Sequence, residues 1–280
     1  MTPRTWLVTG SSRGFGREIV RAALESGDRV VATARHPDQL DDLVGTYGDR
    51  IRTTALDVTD SRAARDAVAV ATGEFGRLDV VVNNAGYANS AAIEELDADD
   101  FRGQIEANLF GVVNVTCAAL PVLRRQASGV FVQFSSVGGR VGGTPGMGAY
   151  QTAKFAVEGF SEVLASEVAP FGVKVIIVEP GAFRTDWQGP SMQRHDVGPD
   201  YVATVGEVHR MREQTDGAQP GDPARAARIL LEVVGRDDPP RRLLLGADAV
   251  TQARDAGRRR AEELERWAEL SASADFPTAR

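Results

Sequence analysis

Six short apolar, β-branched runs, at residues 5–8, 29–33, 52–56, 78–82, 129–134 and 173–178, alternate with longer segments of helical periodicity. Those segments cover about 14–26, 37–47, 61–75, 98–125, 149–169 and 223–234. Parallel strands need crossovers of this length, so the pattern predicts an α/β fold. The expected architecture is a Rossmann-like doubly wound parallel sheet with helices on both faces and right-handed crossovers. A stretch at 242–245 adds one more strand, and a strongly charged helix follows over about 247–271, its Arg258, Arg259 and Arg260 on a solvated face. No internal repeat or low-complexity linker interrupts the chain, so residues 1–280 read as a single domain.

Residues 183–219 break the alternation. Trp187, Pro190, Gly198, Pro199, Gly206 and Gly217 are scattered there among polar residues, directly after the sixth strand. In an open α/β sheet that place overlies the carboxyl ends of the strands, where ligands bind, so the segment reads as a substrate lid.

The first strand runs into Thr9-Gly10-Ser11-Ser12-Arg13-Gly14-Phe15-Gly16 and then into a helix. Glycines there permit a tight turn, close approach of backbone to a pyrophosphate and close packing of helix on strand. The helix N-terminus attracts the negative charge.

Bulk properties narrow the remaining classes. A net charge of −7 disfavours a nucleic-acid partner, because that affinity comes mainly from Lys and Arg on phosphates. The single cysteine, Cys117, excludes an intramolecular disulfide and a cysteine metal cluster, and its apolar surroundings in the sequence predict core packing. His36, His195 and His209 are far apart, so no metal is expected. The chain enters its first strand almost at once, and no run of about eighteen apolar residues stands out, which predicts a cytoplasmic protein without a membrane partner.

The glycine spacing is TGxxxGxG, and five further signposts follow it in order. They are Asn83-Asn84-Ala85-Gly86 closing the fourth strand, Asn108 in a helix, Ser135-Ser136 ending the fifth strand, Tyr150 with Lys154, and Pro180-Gly181 ending the sixth. Over residues 5–190 this succession resembles the short-chain dehydrogenase/reductase family. The resemblance implies an oxidoreductase that moves a hydride between a nicotinamide cofactor and a carbonyl or alcohol carbon. Gly10, Ser12, Arg13, Gly14, Phe15 and Gly16 then contact the cofactor, as do Asn84, Ala85 and Gly86. Asp57 and Val58 take the adenine, and Pro180, Gly181, Phe183 and Thr185 take the nicotinamide end.

An acidic residue ending the second strand would bind the adenosine ribose and exclude a 2′-phosphate. Here that place reads Thr33-Ala34-Arg35, and Arg13 is a second cation within the glycine turn. Guanidinium groups suit bidentate phosphate binding, which predicts NADP(H) as cofactor.

Tyr150 and Lys154, four residues apart on a helical segment, share one helix face. A phenol of ordinary pKa, about 10, needs nearby positive charge to work near neutrality. An ammonium about 4 Å away at an effective dielectric of about 20 favours the phenolate by up to roughly 4 kcal/mol. By resemblance, Tyr150 is the general acid/base, with Ser136 bonding the same substrate oxygen and Ser135 its rival for that task. Lys154 holds the nicotinamide ribose, and Asn108 bends its helix and supports a water that links Lys154 to solvent.

Trp187, Met192, Tyr201 and Met211 are candidates to line an apolar substrate pocket, and the expected partner is a small apolar carbonyl or alcohol. Two other readings stand beside the reductase: a non-catalytic NADP(H)-binding regulator on the same fold, and an epimerase or dehydratase that uses the cofactor transiently. The chain is also similar to bacterial relatives of steroid and retinol dehydrogenases. The resemblance implies a homodimer or homotetramer through helices 98–125 and 149–169.

Overall fold

The computed structural model describes residues 2–187, 189 and 192–276; Pro190 of the expected lid lies outside the described residues. Along the chain come β1 (Thr5–Val8), α1 (Gly14–Glu25), β2 (Arg29–Ala34), α2 (Asp41–Tyr47), β3 (Ile51–Ala55), α3 (Ser61–Phe75), β4 (Val80–Asn83) and β5 (Ala88–Ser90). Next are α4 (Ala98–Ile105), α5 (Gly111–Gln126), β6 (Gly129–Phe134), α6 (Val137–Val141), α7 (Gly148–Val168), β7 (Val173–Pro180) and β8 (Met192–Arg194). The chain closes with α8 (Glu207–Thr215), α9 (Pro223–Val234), β9 (Arg242–Leu245) and α10 (Ala247–Ala272).

Seven strands form one parallel sheet in the order β3-β2-β1-β4-β6-β7-β9. Every residue of β1 and β4 is buried, as expected for central strands covered on both faces. Alternation of side chains divides the core in two. Trp6 and Val8 pack with Ile19, Leu24, Leu230 and Val234 from α1 and α9, whereas Leu7, Val81 and Phe131 pack with Val68, Val115, Leu123 and Leu164 from α3, α5 and α7. Strand order reverses between β1 and β4, so the crevice of a doubly wound sheet opens at their carboxyl ends.

Several details depart from the expected elements. The helical run expected at 98–125 contains a π-helical turn, Glu106–Phe110, between α4 and α5. β7 continues two residues beyond 178, because Glu179 is buried and ion-paired with Arg140 and Arg242. β5 and β8 pair in parallel, Ala88 with Met192 and Ser90 with Arg194, and so tie the lid segment to the body. The lid also holds a helix of its own, α8.

Two expectations from bulk reading are corrected. Cys117 is exposed, because the buried residues of α5, Val112, Val115, Thr116, Ala119 and Leu123, define a helix face that turns away from it. An apolar window long enough to cross a membrane does occur, within Ala98–Gln126 at a mean hydropathy of 1.5. In the fold this run is a sheet-covering helix, its Val115, Ala119 and Leu123 sharing the core with Leu7 and Phe131.

Candidate active site

The glycine turn is held from the neighbouring strand. Gly10 adopts φ +68°, and a Cβ there would lie 2.9 Å from the Ala85 Cα; at Gly16 a Cβ would lie 2.2 Å from the Gly10 carbonyl oxygen. Both positions therefore admit only glycine. The Asn84 side-chain amide donates to the carbonyl oxygens of Thr9 and Gly10 at 2.9 and 3.2 Å, and the Asn84 and Ala85 N–H groups donate to Thr9 Oγ1, each at 3.0 Å. Turn and Asn-Asn-Ala-Gly segment are thus one unit at the ends of β1 and β4. The amino end of α1 has no side-chain cap, which leaves its amides and dipole for an anion.

A cleft of about 890 Å3 runs along this unit. Gly10, Ser12, Arg13, Gly14, Phe15, Arg35, Asp57, Val58, Asn84, Ala85, Gly86 and Thr185 all border it. Arg13 and Arg35 are exposed at its rim, and neither forms an ion pair among the described residues. Asp57 Oδ1 accepts from the N–H and hydroxyl of Thr59, at 3.0 and 2.8 Å, and these bonds hold its carboxyl below the usual range.

A second cavity, about 320 Å3, adjoins the cleft and shares Phe15, Asn84, Gly86, Thr185 and Trp187 with it. Asn108, Ser136, Tyr150, Lys154, Pro180, Gly181 and Phe183 border this cavity. Ser136 Oγ accepts from the Gly138 N–H at 3.0 Å and so caps α6. Ser135 has its hydroxyl on Glu158, to which it donates at 2.8 Å.

Electrostatics around Tyr150 differ from the expected arrangement. The Lys154 ammonium donates to the Phe134 carbonyl oxygen at 2.8 Å and lies 5.8 Å from the Tyr150 ring centre. Burial pushes the Tyr150 phenol up to about 12, opposed by the Ser136 hydrogen bond and by the charge of Arg212. Burial also pulls Lys154 down to about 8. The Lys154 head is turned toward the end of β6, and Arg212 of α8 is a second cation on the cavity wall whose charge favours the phenolate.

Asn108 sits fully buried in the π-helical turn. Its amide donates to the carbonyl oxygens of Tyr87 and Gln104 at 2.9 and 3.0 Å, and its Oδ1 accepts from the Tyr87 N–H at 3.2 Å. A Cβ on Gly86 would lie 2.4 Å from that Oδ1, so the glycine gives the side chain room. At the end of β7, the Gly181 N–H donates to Leu245 at 2.9 Å, and the Phe183 ring stacks on Phe15 at 4.9 Å.

Of the expected pocket residues, Trp187 packs on the Tyr150 ring at 5.3 Å and Met211 borders the cavity. Met192 is buried beside Tyr150 and Met147. Tyr201 does not border the cavity.

A sequence profile for short chain dehydrogenases matches residues 4–196. The chain belongs to the short-chain dehydrogenase family. Among this family's proteins, the oxidoreductase BOA17 of Botryotinia fuckeliana is 52% identical over 269 residues, 96% of this chain and 98% of the relative. A 3-ketodihydrosphingosine reductase of Bacteroides thetaiotaomicron is 35% identical over 252 residues, 88% of this chain and 89% of the relative. The crystal structure of a short-chain dehydrogenase from Streptomyces avermitilis superposes with a TM-score of 0.92 at 42% identity, covering 98% of this chain and 100% of that one.

Two sets of residues in this short-chain dehydrogenase escape a reading of motifs. Arg212 reaches the Tyr150 cavity from the irregular lid, where nothing in the sequence marks a charged residue as buried. Beneath Ser135, Glu158 and the fully buried Glu179 both pair with Arg242, and Arg140 also pairs with Glu179. Glu158 lies one helical turn beyond Lys154, a spacing that points toward the same region without naming its partner.

Proposed function

We propose that the protein is an NADP(H)-dependent oxidoreductase that interconverts a carbonyl and a secondary alcohol, with Tyr150 as general acid/base. The observation that carries this reading is that Ser136, Tyr150 and Lys154 border one cavity where it meets the glycine-turn cleft. NADPH, when bound, supplies the hydride. The cleft has the features such a cofactor needs: a glycine cradle that a Cβ would fill, an uncapped helix N-terminus and two unpaired guanidinium groups at its rim. Arg13 and Arg35 would hold the 2′-phosphate.

In reduction, Tyr150 gives its proton to the carbonyl oxygen, and a phenol raised to about 12 is fully protonated for that task at neutral pH. Ser136 donates a second hydrogen bond to the same oxygen as charge grows there. Lys154 holds the ribose hydroxyls and returns a proton toward Tyr150, and Asn108 fixes the backbone of Tyr87 beside it. NADP+ bound to the structural neighbour serine dehydrogenase, which is 25% identical to this chain, is in keeping with the phosphorylated cofactor.

Exposed Phe110, Cys117, Phe155 and Val163 on α5, α7 and the adjoining π turn support a homo-oligomer through these helices, and we place the protein in the cytoplasm. Fluorescence titration with NADPH and NADH, followed by single-turnover reduction of a panel of ketones and aldehydes, tests the reading. Tight NADPH binding with turnover supports it, and tight binding without turnover on any carbonyl would replace it with a cofactor-binding regulator.

A further inference from the structure

Arg212 is 7% exposed and borders the substrate cavity, yet it pairs with no carboxylate among the described residues. Its Nη1 donates to the thioether sulfurs of Met147 and Met192, at 2.9 and 3.6 Å, and its guanidinium lies 5.8 Å from the Trp187 ring centre. Thioethers are weak acceptors, so among the described residues most of the five N–H donors have no strong partner. Arg194, whose charge acts on it, has the same sign. Asp248 is the one acid on the cavity wall, and its Oδ2 accepts from the Ala182 N–H at 2.7 Å.

A buried guanidinium without an anion is unfavourable, and it occurs here in a chain whose net charge is −7. Arg212 and Tyr150 both pack on Trp187, at 5.8 and 5.3 Å from its ring centre, and border the same cavity, so the cation shares a wall with the reacting hydroxyl. An apolar wall of methionine and tryptophan around one forked cation is the environment in which a carboxylate is bound strongly, because water does not compete.

We propose that Arg212 binds a carboxylate on the substrate, so that the enzyme reduces an oxo acid to the corresponding hydroxy acid. This rests on the reading that the carbonyl oxygen sits on Tyr150 and Ser136. The carbonyl carbon gains a hydride from NADPH, which leaves as NADP+, and its oxygen gains the Tyr150 proton; the carboxylate is unchanged. Such a substrate combines an apolar body with an anionic end.

The test uses a ladder of 2-oxo, 4-oxo and 5-oxo alkanoates with their methyl esters. Reduction is followed at saturating NADPH, and binding is followed separately as quenching of tryptophan fluorescence in the presence of NADP+. One or more acids should be preferred over the matching ester about ten-fold or more, in binding and in kcat/KM. Arg212→Met, which suits a pocket already lined by methionine, should bring that ratio to about one, and Arg212→Lys should restore part of it. A thermal midpoint of Arg212→Met equal to or above the parent's shows that the fold is intact. Equal use of acids and esters by the parent overturns the proposal, as does a ratio that survives in Arg212→Met. Acid-selective quenching without reduction keeps the anion site and rejects the reductase reading instead; no selective binding of any acid rejects the anion site.

Discussion

The Lys154 ammonium donates to the Phe134 carbonyl oxygen at 2.8 Å, and so a buried cation is held by the last residue of the strand that leads to Ser135 and Ser136. Burial pulls its pKa from 10.5 to about 8, so between these values the folded chain binds fewer protons than the unfolded one. The penalty for burying the ammonium is therefore complete below about pH 8 and fades as pH rises toward 10.5. Lys154→Met should abolish turnover yet raise stability at pH 7, by about 2 kcal/mol after loss of the Phe134 hydrogen bond. Denaturant melts at pH 7 and pH 10 should show that gap shrinking; a variant less stable than the parent at pH 7 contradicts the account.

The two adjacent serines should separate into different phenotypes. Ser136→Ala removes a donor from the reacting oxygen and should lower kcat by about 100-fold, with a stability loss of about 1 kcal/mol from the lost α6 cap. Ser135→Ala leaves the buried Glu158 carboxylate without one of its donors and should lower stability by about 1–3 kcal/mol, with a smaller effect on kcat. Kinetics and melts on both variants check this, and the reverse pattern would reassign the catalytic serine.

Cofactor choice should depend on Arg13 and Arg35. Arg35→Asp introduces an acid at the end of β2 and should shift the NADPH/NADH ratio of binding constants by about 100-fold toward NADH. Arg13→Ala should produce a smaller shift in the same direction. Titration of each variant with both cofactors is sufficient, and an unchanged ratio in both would show that neither guanidinium meets the phosphate.

Arg242 joins Glu158 and Glu179, and both acids are buried. Arg242→Met leaves them facing each other without that cation, and stability should fall by about 3 kcal/mol or more. Because burial and the neighbouring carboxylate both push Glu158 up, the loss should be greatest at neutral pH and smaller as pH falls and the acid takes up a proton. Equal loss at pH 5 and pH 8 would show that the variant acts through packing alone.

Much of this molecule is legible from residue patterns because its physics is local. β1 is a continuous run of apolar and β-branched residues, β6 is nearly so with Gln133 as its one polar residue, and Asp60 and Asp222 cap α3 and α9 where the helical periodicity starts. What escaped depends on distant partners. Glu179 and Pro180 are poor strand residues, and they extend β7 because Arg140 and Arg242 meet the acid and Leu245 pairs with the proline. β5 and β8 are three residues each, too short to announce themselves without one another. Cys117 lies in an apolar run, but helix phase turns it outward. The Tyr150–Lys154 spacing put both residues on one cavity wall, yet only the fold reveals that the Lys154 head turns to Phe134 and that Arg212 borders the same cavity.

The most direct test of the central claim is stopped-flow single turnover of enzyme-bound NADPH with a reducible carbonyl, comparing the parent with Tyr150→Phe. The account predicts that the NADPH dissociation constant stays within about three-fold while the rate of NADPH oxidation falls by about 1,000-fold. A variant that oxidises NADPH at the parent's rate would show that the proton comes from another group.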